Sequence, residues 1–258
     1  MILMLPVASL EIKTKEEICM KICAKTDIGN KRSMNQDYFY YSENAVGSFQ
    51  NLLIVADGMG GHRAGDYASR LCVETIVESI KNSGHNTPVT VFNESVMAAN
   101  EAVYNAAKEN KEYEGMGTTV VACTLEGNTL YIANIGDSRL YIIRDEIYQV
   151  TNDHSLVEEM VKNGKITENE AKKHPNKNII TRALGINLQV HADYFEIDVK
   201  KSDRILMCTD GLTNMIDDDD IEYIIRHGSS LEECVDALIE KANKNGGNDN
   251  ITVILAEI

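Results

Sequence analysis

The decisive stretch of this chain is Leu52-Leu53-Ile54-Val55-Ala56-Asp57-Gly58-Met59-Gly60-Gly61-His62, where an apolar run ends on an aspartate followed by glycines. A second stretch of this kind lies far downstream, as Arg204-Ile205-Leu206-Met207-Cys208-Thr209-Asp210-Gly211. Apolar and β-branched runs bounded by glycine predict buried strands. We therefore expect Asp57 and Asp210 to stand at strand ends and to meet in one cleft. Carboxylates beside an exposed backbone carbonyl favour a hard divalent cation.

The length and composition are typical of one soluble globular domain. The chain has 258 residues, of which 43% are hydrophobic and 25% are charged. Its net charge of −15 argues against a nucleic-acid binder, because such proteins depend on clustered Lys and Arg. Six cysteines are scattered without a CxxC pair, which predicts buried free thiols in a reducing cytoplasm. The sequence offers no transmembrane stretch, and its apolar start lacks the basic residues of a signal peptide.

Hydrophobic periodicity predicts strands on both sides of a pair of helices. Helical spacing covers residues 64–81 and 90–110, and again residues 221–226 and 231–244. Strand patterns cover residues 19–26, 38–41, 52–56, 118–125, 130–135, 139–143, 147–150, 194–199, 204–208 and 251–256. The polar segment 154–185 contains two short helical pieces. Short turns between the strands favour antiparallel sheets covered by helices in a single domain.

Several acidic residues stand at predicted strand ends or turns, beside glycines or amides. They are Asp37, Asp57, Asp210 and Asp249. Each alone is typical of a turn. Together they favour a metal site, and their oxygen ligands suit Mg²⁺ or Mn²⁺ better than zinc. The glycines after Asp57 do not form a nucleotide-binding loop, because Arg63 occupies the place of the last required glycine.

Six short motifs occur in an order that resembles one known family. They are Arg32-Ser33-Met34-Asn35-Gln36-Asp37, Val55-Ala56-Asp57-Gly58-Met59-Gly60-Gly61-His62, Gly117-Thr118-Thr119, Gly136-Asp137-Ser138-Arg139, Cys208-Thr209-Asp210-Gly211-Leu212 and Gly247-Asn248-Asp249-Asn250-Ile251-Thr252. With these motifs the chain is similar to the metal-dependent protein serine/threonine phosphatases, the PPM or type 2C family, in their compact bacterial form. The similarity covers about residues 20–258, and the segment from Asp153 to Gly185 resembles the bacterial flap region.

The resemblance implies an α+β fold, a four-layer α-β-β-α sandwich of two antiparallel sheets flanked by helix pairs. Residues 1–19 are then an N-terminal extension, and residues 20–258 form the phosphatase domain with a flap at about 154–189. The implied function is hydrolysis of phosphoserine and phosphothreonine on proteins by a metal-activated water, opposing a serine/threonine kinase. We expect a monomeric, cytoplasmic signalling enzyme that binds phosphorylated proteins but neither nucleic acid nor membrane.

The resemblance also implies the ligands of two core metal ions, Mn²⁺ or Mg²⁺. Asp57 would bridge both ions, and Gly58 would bind one of them through its carbonyl oxygen. Asp210 and Asp249 would complete the shell of the first ion. Asp37 would lie nearby and act through metal-bound water. Two cations acidify a shared water and stabilise in-line attack at phosphorus, so no protein nucleophile is needed.

Further positions follow from the same resemblance. Asp137 would hold a third, weaker metal beside the flap, together with Asp210. Arg32 would bind the substrate phosphate, because a guanidinium fork suits phosphate oxygens. His62 is either the general acid or a residue that orients its loop. Gln36 stands where many relatives have glutamate, which lowers the charge available to a metal.

The residues alone leave a purely structural role open at two of these positions. Arg32 could form a surface ion pair, and Asp137 could pair with Arg139 in a local turn. Two other functions also compete, a non-catalytic regulatory module on the same fold and a two-metal phosphodiesterase. The intact aspartates at positions 57, 210 and 249 argue against the first, and the acidic composition argues against the second.

Overall fold

The computed structural model describes residues 20–61 and 63–258. The predicted N-terminal extension, residues 1–19, and the candidate general acid His62 therefore lie outside the described residues. The strands in the described part are β1 (Lys21–Asp27), β2 (Asp37–Ser42), β3 (Leu52–Met59), β4 (Gly117–Thr118), β5 (Val120–Glu126), β6 (Thr129–Ile135), β7 (Arg139–Ile143), β8 (Ile147–Gln149), β9 (Asp193–Asp198), β10 (Arg204–Cys208) and β11 (Ile251–Glu257).

The helices match the predicted pairs and flap pieces, with one addition after β10. They are α1 (Ala64–Asn82), α2 (Pro88–Glu109), α3 (Leu156–Lys162), α4 (Glu168–Ala171), α5 (Asp210–Thr213), α6 (Asp218–His227) and α7 (Leu231–Lys244). A single 3-10 turn covers Lys111–Tyr113. None of the described helices is both long enough and apolar enough to cross a bilayer.

Two antiparallel sheets form the centre of the fold. One has the strand order β1-β11-β10-β7-β8, and the other has the order β2-β3-β5-β6-β9, with β4 paired to β3. Helices α1 and α2 pack on the second sheet, and helices α6 and α7 cover the first. The predicted four-layer α-β-β-α sandwich is confirmed.

Strand β3 shows why its sequence is apolar at every position. Leu52, Ile54 and Ala56 pack under helices α1 and α2. Leu53 and Val55 point the other way, into the layer between the two sheets. Successive side chains of a strand face opposite sides, so a strand covered on both sides needs an unbroken apolar run. The run at 52–56 therefore places β3 in the middle of the sandwich.

Two predicted strand ends differ in the structure. Strand β3 continues past Ala56 through Asp57 and Gly58, because their backbones pair with β2 and β4. Strand β10, in contrast, ends at Cys208 as predicted, and Asp210 begins the short helix α5 two residues later. The predicted strand 118–125 is likewise divided into β4 and β5. These differences come from tertiary pairing, which the local sequence pattern does not contain.

The cysteines are free thiols in the described part of the chain. Four of them are buried, and Cys23 is half-buried. This agrees with the prediction of buried free thiols, and Cys19 lies outside the described residues.

A chain that begins at Met20 tests the proposed domain start. Strand β1 is paired along its whole length with β11, and the buried Met20 is retained in this shorter chain. We expect its Tm to stay within roughly 2 °C of the full chain, a change below about 1 kcal/mol. A chain that begins at Ile28 is the matched control, because it loses β1 and should lose much of its stability. Unfolding of the Met20 chain in circular dichroism would show that residues 1–19 belong to the fold.

Candidate metal centre

The fold brings the predicted aspartates to one end of the sandwich. Asp37 and Asp57 lie opposite each other on the paired strands β2 and β3. Asp210 and Asp249 flank the paired strands β10 and β11 of the other sheet, one after β10 and the other before β11. The negative charges of Asp210 and Asp249 act on both Asp37 and Asp57 across the sheets. The structure thus assembles the carboxylate pairs in a single cleft.

Asp37 is buried and is held by hydroxyl groups of the opposite sheet. Its Oδ2 accepts hydrogen bonds from Thr209 Oγ1 at 2.9 Å and from Thr252 Oγ1 at 2.7 Å. The Thr252 hydroxyl is in turn 2.7 Å from Thr26 Oγ1, and Asn35 Nδ2 donates to that Thr26 oxygen at 2.9 Å. Because each hydroxyl has one proton, the chain of donors runs from Asn35 to Asp37.

The backbone of Asp57 is fixed by two threonines. Its N–H donates to Thr119 Oγ1 at 3.0 Å. Its carbonyl oxygen accepts from Thr118 Oγ1 and from the Thr119 N–H, each at 2.9 Å. The next residue, Gly58, donates its N–H to the Gln36 carbonyl at 3.0 Å. A side chain at Gly58 would clash with the Gly65 backbone, so glycine is required where β3 meets the start of α1.

Burial, together with the crowding of like charges, raises the pKa values in the cleft. Burial, followed by the charges of Asp210 and Asp249, raises the pKa of Asp37 to about 7 despite its two threonine hydrogen bonds. Burial and the neighbouring aspartates, Asp37 first, hold the pKa of Asp57 well above its ordinary value. The pKa of Asp210 rises to about 6 through burial and the charge of Asp249, although a hydrogen bond with Asp57 opposes the shift. Asp57 and Asp210 retain some exposure as residues, but their carboxyl groups are surrounded by protein.

Two buried carboxylate oxygens in the cleft have no hydrogen-bond donor among the described residues. They are Asp37 Oδ1 and Asp210 Oδ1. Buried acceptors of this kind are costly unless a donor or cation satisfies them. A divalent cation would supply that positive charge and would also relieve the mutual repulsion. The all-oxygen set therefore fits a hard cation such as Mn²⁺ or Mg²⁺.

The side chains do not by themselves form a closed metal cage. Within 20–61 and 63–258, no group of three or more His, Cys, Asp or Glu side chains is placed so that these side chains alone could hold a metal ion. The reason is visible in their contacts, since Asp37 Oδ2 is taken by two threonines and Asp249 Oδ2 by an arginine. Backbone carbonyls and water would have to complete the shell, as is common for Mg²⁺.

Arg32 stands at the rim of the cleft and pairs with Asp249. Its Nη2 lies 2.6 Å from Asp249 Oδ2, and its side chain is 49% exposed. The hydrogen bond to Asp249 is the main cause that raises the pKa of Arg32, and the charges of Asp57 and Asp210 act in the same direction. The ion pair considered as an alternative for Arg32 is thus present, and it is made with a candidate metal ligand.

The loop that carries Arg32 is held by residues that the sequence interpretation did not single out. Asn250 Nδ2 donates to the carbonyl oxygens of Ile28 at 2.9 Å and Met34 at 3.0 Å. Asn250 Oδ1 accepts from the Gln36 N–H at 2.8 Å. The buried side chain of Asn250 therefore pins both ends of the loop around Arg32. The only sequence signal for this role was the place of Asn250 directly after Asp249.

Asp137 lies on the flap side of the cleft. Burial raises its pKa to about 8, and the charges of Asp210 and Asp153 add to the shift. The alternative in which Arg139 neutralises Asp137 is not the arrangement found, because the Arg139 guanidinium forms a bidentate pair with Asp153. Its Nε and Nη2 donate to Asp153 Oδ1 and Oδ2 at 2.9 Å and 2.7 Å. Asp137 is left as a further carboxylate beside Asp210.

The structure also shows the surroundings of Cys208 and Gln36, two residues of the motifs. Cys208 is buried, and burial raises the pKa of its thiol far above the ordinary value, so it is no nucleophile at neutral pH. Gln36 Nε2 lies 3.4 Å from the Gly60 carbonyl oxygen, beside the glycine-rich turn.

Comparison with known proteins gives a consistent result. Residues 29–256 match the family described as Protein phosphatase 2C. The Serine/threonine phosphatase stp of Listeria innocua serovar 6a is 40% identical over 238 residues, which are 90% of this chain and 94% of that protein.

Solved structures share both the fold and the length of the chain. The Mycobacterium tuberculosis serine/threonine phosphatase PstP/Ppp superposes with a TM-score of 0.86 at 34% identity, over 93% of this chain and 99% of that one. The catalytic domain of the phosphatase PstP in complex with 2 manganese ions superposes with a TM-score of 0.82 at 33% identity, over 92% of this chain and 97% of that one.

The raised pKa values predict a pH dependence of the metal-free protein. In the unfolded chain these carboxyls release protons near the ordinary value of 3.8, whereas Asp37 in the folded protein holds its proton to about pH 7. Unfolding therefore releases protons between about pH 4 and pH 7, and stability falls as pH rises through this window. We expect the Tm of the chelator-treated protein to be lower at pH 7.5 than at pH 5.5.

Asp57→Asn should raise that Tm at pH 7.5, because it removes a buried carboxyl whose ionisation is opposed by burial and by the neighbouring aspartates. Each gain of about 1 kcal/mol corresponds to roughly 2–4 °C in a domain of this size. Asp145→Asn is the control, since Asp145 is exposed and distant from the cleft. Equal Tm values for Asp57→Asn and the wild type would contradict the repulsion argument.

Proposed function

This chain belongs to the protein phosphatase 2C family and is a protein serine/threonine phosphatase, and we propose that its carboxylate cleft is the site of hydrolysis. The observation that carries this proposal is the set of buried carboxylates with two unsatisfied oxygens, placed next to a half-exposed arginine. Such a site combines a place for cations with a place for a phosphate group. Neither competing function, a non-catalytic module or a phosphodiesterase, is favoured.

We propose that Mn²⁺ or Mg²⁺ occupies the cleft, with two core ions and a third near Asp137. When bound, the cations would supply an acidified water and neutralise charge at phosphorus. Asp57 and the Gly58 carbonyl would hold the core ions from the sheet of β2 and β3. Asp210 and Asp249 would bind from the opposite sheet. Asp37, fixed by its two threonine hydrogen bonds, would orient the ligands around it.

Arg32 is the proposed phosphate-binding residue. One guanidinium nitrogen donates to Asp249, which fixes the direction of the side chain at the rim. A guanidinium has five N–H donors, so further donors remain for two phosphate oxygens. The pinned loop around Asn250 holds this donor set in one place. Arg32 would thus bind and orient the phosphate over the carboxylate cleft.

The remaining proposals concern the general acid and the biological setting. We keep His62 as the candidate that protonates the leaving oxygen of serine or threonine, since it follows the glycine turn after Asp57. The substrates would be phosphorylated proteins, and the partner activity would be a serine/threonine kinase. The enzyme would act as a monomer in cytoplasmic signalling.

Metal removal tests the proposed chemistry. The chelator-treated protein should not hydrolyse a phosphothreonine peptide, and added Mn²⁺ should restore hydrolysis. Asp57→Asn and Asp210→Asn should each lower kcat by about 100-fold or more, because each removes a charged ligand from the cleft. Asp236→Asn is a matched control, since this exposed aspartate pairs with Lys25 at the surface. Full activity in excess chelator would contradict the metal site, and faster cleavage of an aryl phosphodiester would favour the phosphodiesterase.

Replacement of Arg32 tests the phosphate contact. Arg32→Ala should raise KM for p-nitrophenyl phosphate about 10- to 100-fold, the effect expected for a lost hydrogen bond between charged groups. Mn²⁺ affinity measured by calorimetry should change much less. Lys31→Ala removes the same charge from the same loop and serves as the control, with KM close to the wild type. An unchanged KM in Arg32→Ala would leave Arg32 with only its ion pair to Asp249.

A further inference from the structure

His154 is a buried histidine that the proposed hydrolysis does not use. It precedes α3 at the start of the flap and is 5% exposed. Its ring and its backbone both contact Gly136, the residue before Asp137. The Gly136 N–H donates to His154 Nδ1 at 3.1 Å, and the His154 N–H donates to the Gly136 carbonyl at 2.9 Å.

These contacts fix the tautomer of the ring. Burial, as the largest cause, lowers the pKa of His154, so the ring is neutral near pH 7. Nδ1 accepts a hydrogen bond from Gly136, and the ring proton must therefore reside on Nε2. Nε2 lies 3.2 Å from Asp193 Oδ2 and donates to it. The imidazole thus joins Gly136 on one side to Asp193 on the other.

Asp193 continues the connection into the flap. Arg182 Nη1 donates to Asp193 Oδ1 at 2.9 Å. Burial alone would raise the pKa of Asp193, but the contacts with His154 and Arg182 outweigh it and lower the pKa. The Thr181 N–H also donates to the His154 carbonyl at 2.7 Å. The C-terminal part of the flap is therefore tied to His154 through both the ring and the backbone.

At the other end, the Gly136 turn has little room to move. Gly136 has a φ of +106°, and a side chain there would clash with Thr119. The Thr119 hydroxyl is 2.8 Å from Ser138 Oγ and also accepts from the Asp57 N–H. A displacement of Gly136 would consequently move the adjacent Asp137 relative to Asp57.

We propose that His154 is a positioning residue that couples the flap to the Gly136–Asp137 turn. Loosening of the flap would then weaken metal binding at Asp137, although Arg182 and Asp193 do not touch that carboxylate. The inference rests on the proposed function for the role of Asp137. The coupling itself depends only on the contacts of His154.

Two single variants and their combination test the coupling. Arg182→Gln removes the positive charge of a flap side chain that is half-exposed, so the substitution should not disturb folding. His154→Asn keeps a hydrogen-bond acceptor, because the asparagine Oδ1 can take the place of Nδ1 and accept from the Gly136 N–H. The shorter side chain cannot replace Nε2, so the hydrogen bond to Asp193 is lost. Lys165→Gln is the control, because it removes an exposed flap cation away from this network.

The readouts are Mn²⁺ calorimetry, hydrogen exchange of residues 180–184, and the Mn²⁺ dependence of p-nitrophenyl phosphate hydrolysis. Arg182→Gln should speed the hydrogen exchange of residues 180–184. It should also lower the Mn²⁺ affinity of the proposed site at Asp137 by about tenfold, the smaller effect expected when a group that orients a metal ligand is lost. In the His154→Asn background, Arg182→Gln should add little, because the ring contact with Asp193 is already lost. Lys165→Gln should match the wild type.

Faster exchange in Arg182→Gln with unchanged Mn²⁺ affinity would overturn the coupling, as would fully additive effects in the double variant. A wild-type protein without phosphatase activity would refute the proposed function alone, since calorimetry and exchange still decide whether the coupling exists. Misfolding of His154→Asn would not protect the proposal, because Arg182→Gln tests the same connection from the flap side.

Discussion

The repulsion between carboxylates in one cleft is the constraint on which the rest of this structure depends. Burial and mutual charge raise the pKa values of Asp37, Asp57 and Asp210 together. No folded protein gathers such groups without compensation. Here the compensation is local and partial, through threonine hydroxyls at Asp37 and a guanidinium at Asp249. The unsatisfied oxygens that remain are the structural basis for assigning cations to the cleft.

The same contacts join the two sheets where the site lies. Asp37 belongs to the sheet of β2 and β3, whereas Thr252 lies on β11 of the other sheet and Thr209 directly follows β10. A hydrogen bond from each threonine to one carboxylate oxygen therefore connects the sheets at the open end of the sandwich. In the interior, apolar side chains pack between the sheets, as in the layer around Leu53 and Val55. The position of the candidate metal ligands and the closure of the sandwich are thus one structural feature.

Much of the fold follows from the sequence, because the apolar runs and helical spacings are local signals. The run 52–56 predicts a buried strand, and the motifs resembling type 2C phosphatases predict the sandwich around it. The extension of β3 through Asp57 and Gly58 was not predictable locally, since it depends on pairing with β4, far along the chain. The partners of Arg32 and Arg139 are similarly remote or unexpected, because ion pairing depends on geometry that spacing does not encode. The threonines around Asp37 carry no periodic signal at all.

Asp249 and Asn250, which lie next to each other in the turn before β11, make different contacts. Asp249 faces the other carboxylates and Arg32, while Asn250 turns inward and holds the Ile28 and Met34 carbonyls. An aspartate at 250 could not donate to those carbonyls, and an asparagine at 249 would remove the charge that fixes Arg32. The contacts of the two positions therefore require an aspartate at 249 followed by an asparagine at 250. This pair holds the Arg32 loop and the candidate metal ligand Asp249 on one turn, so that the distance between them is set by the fold.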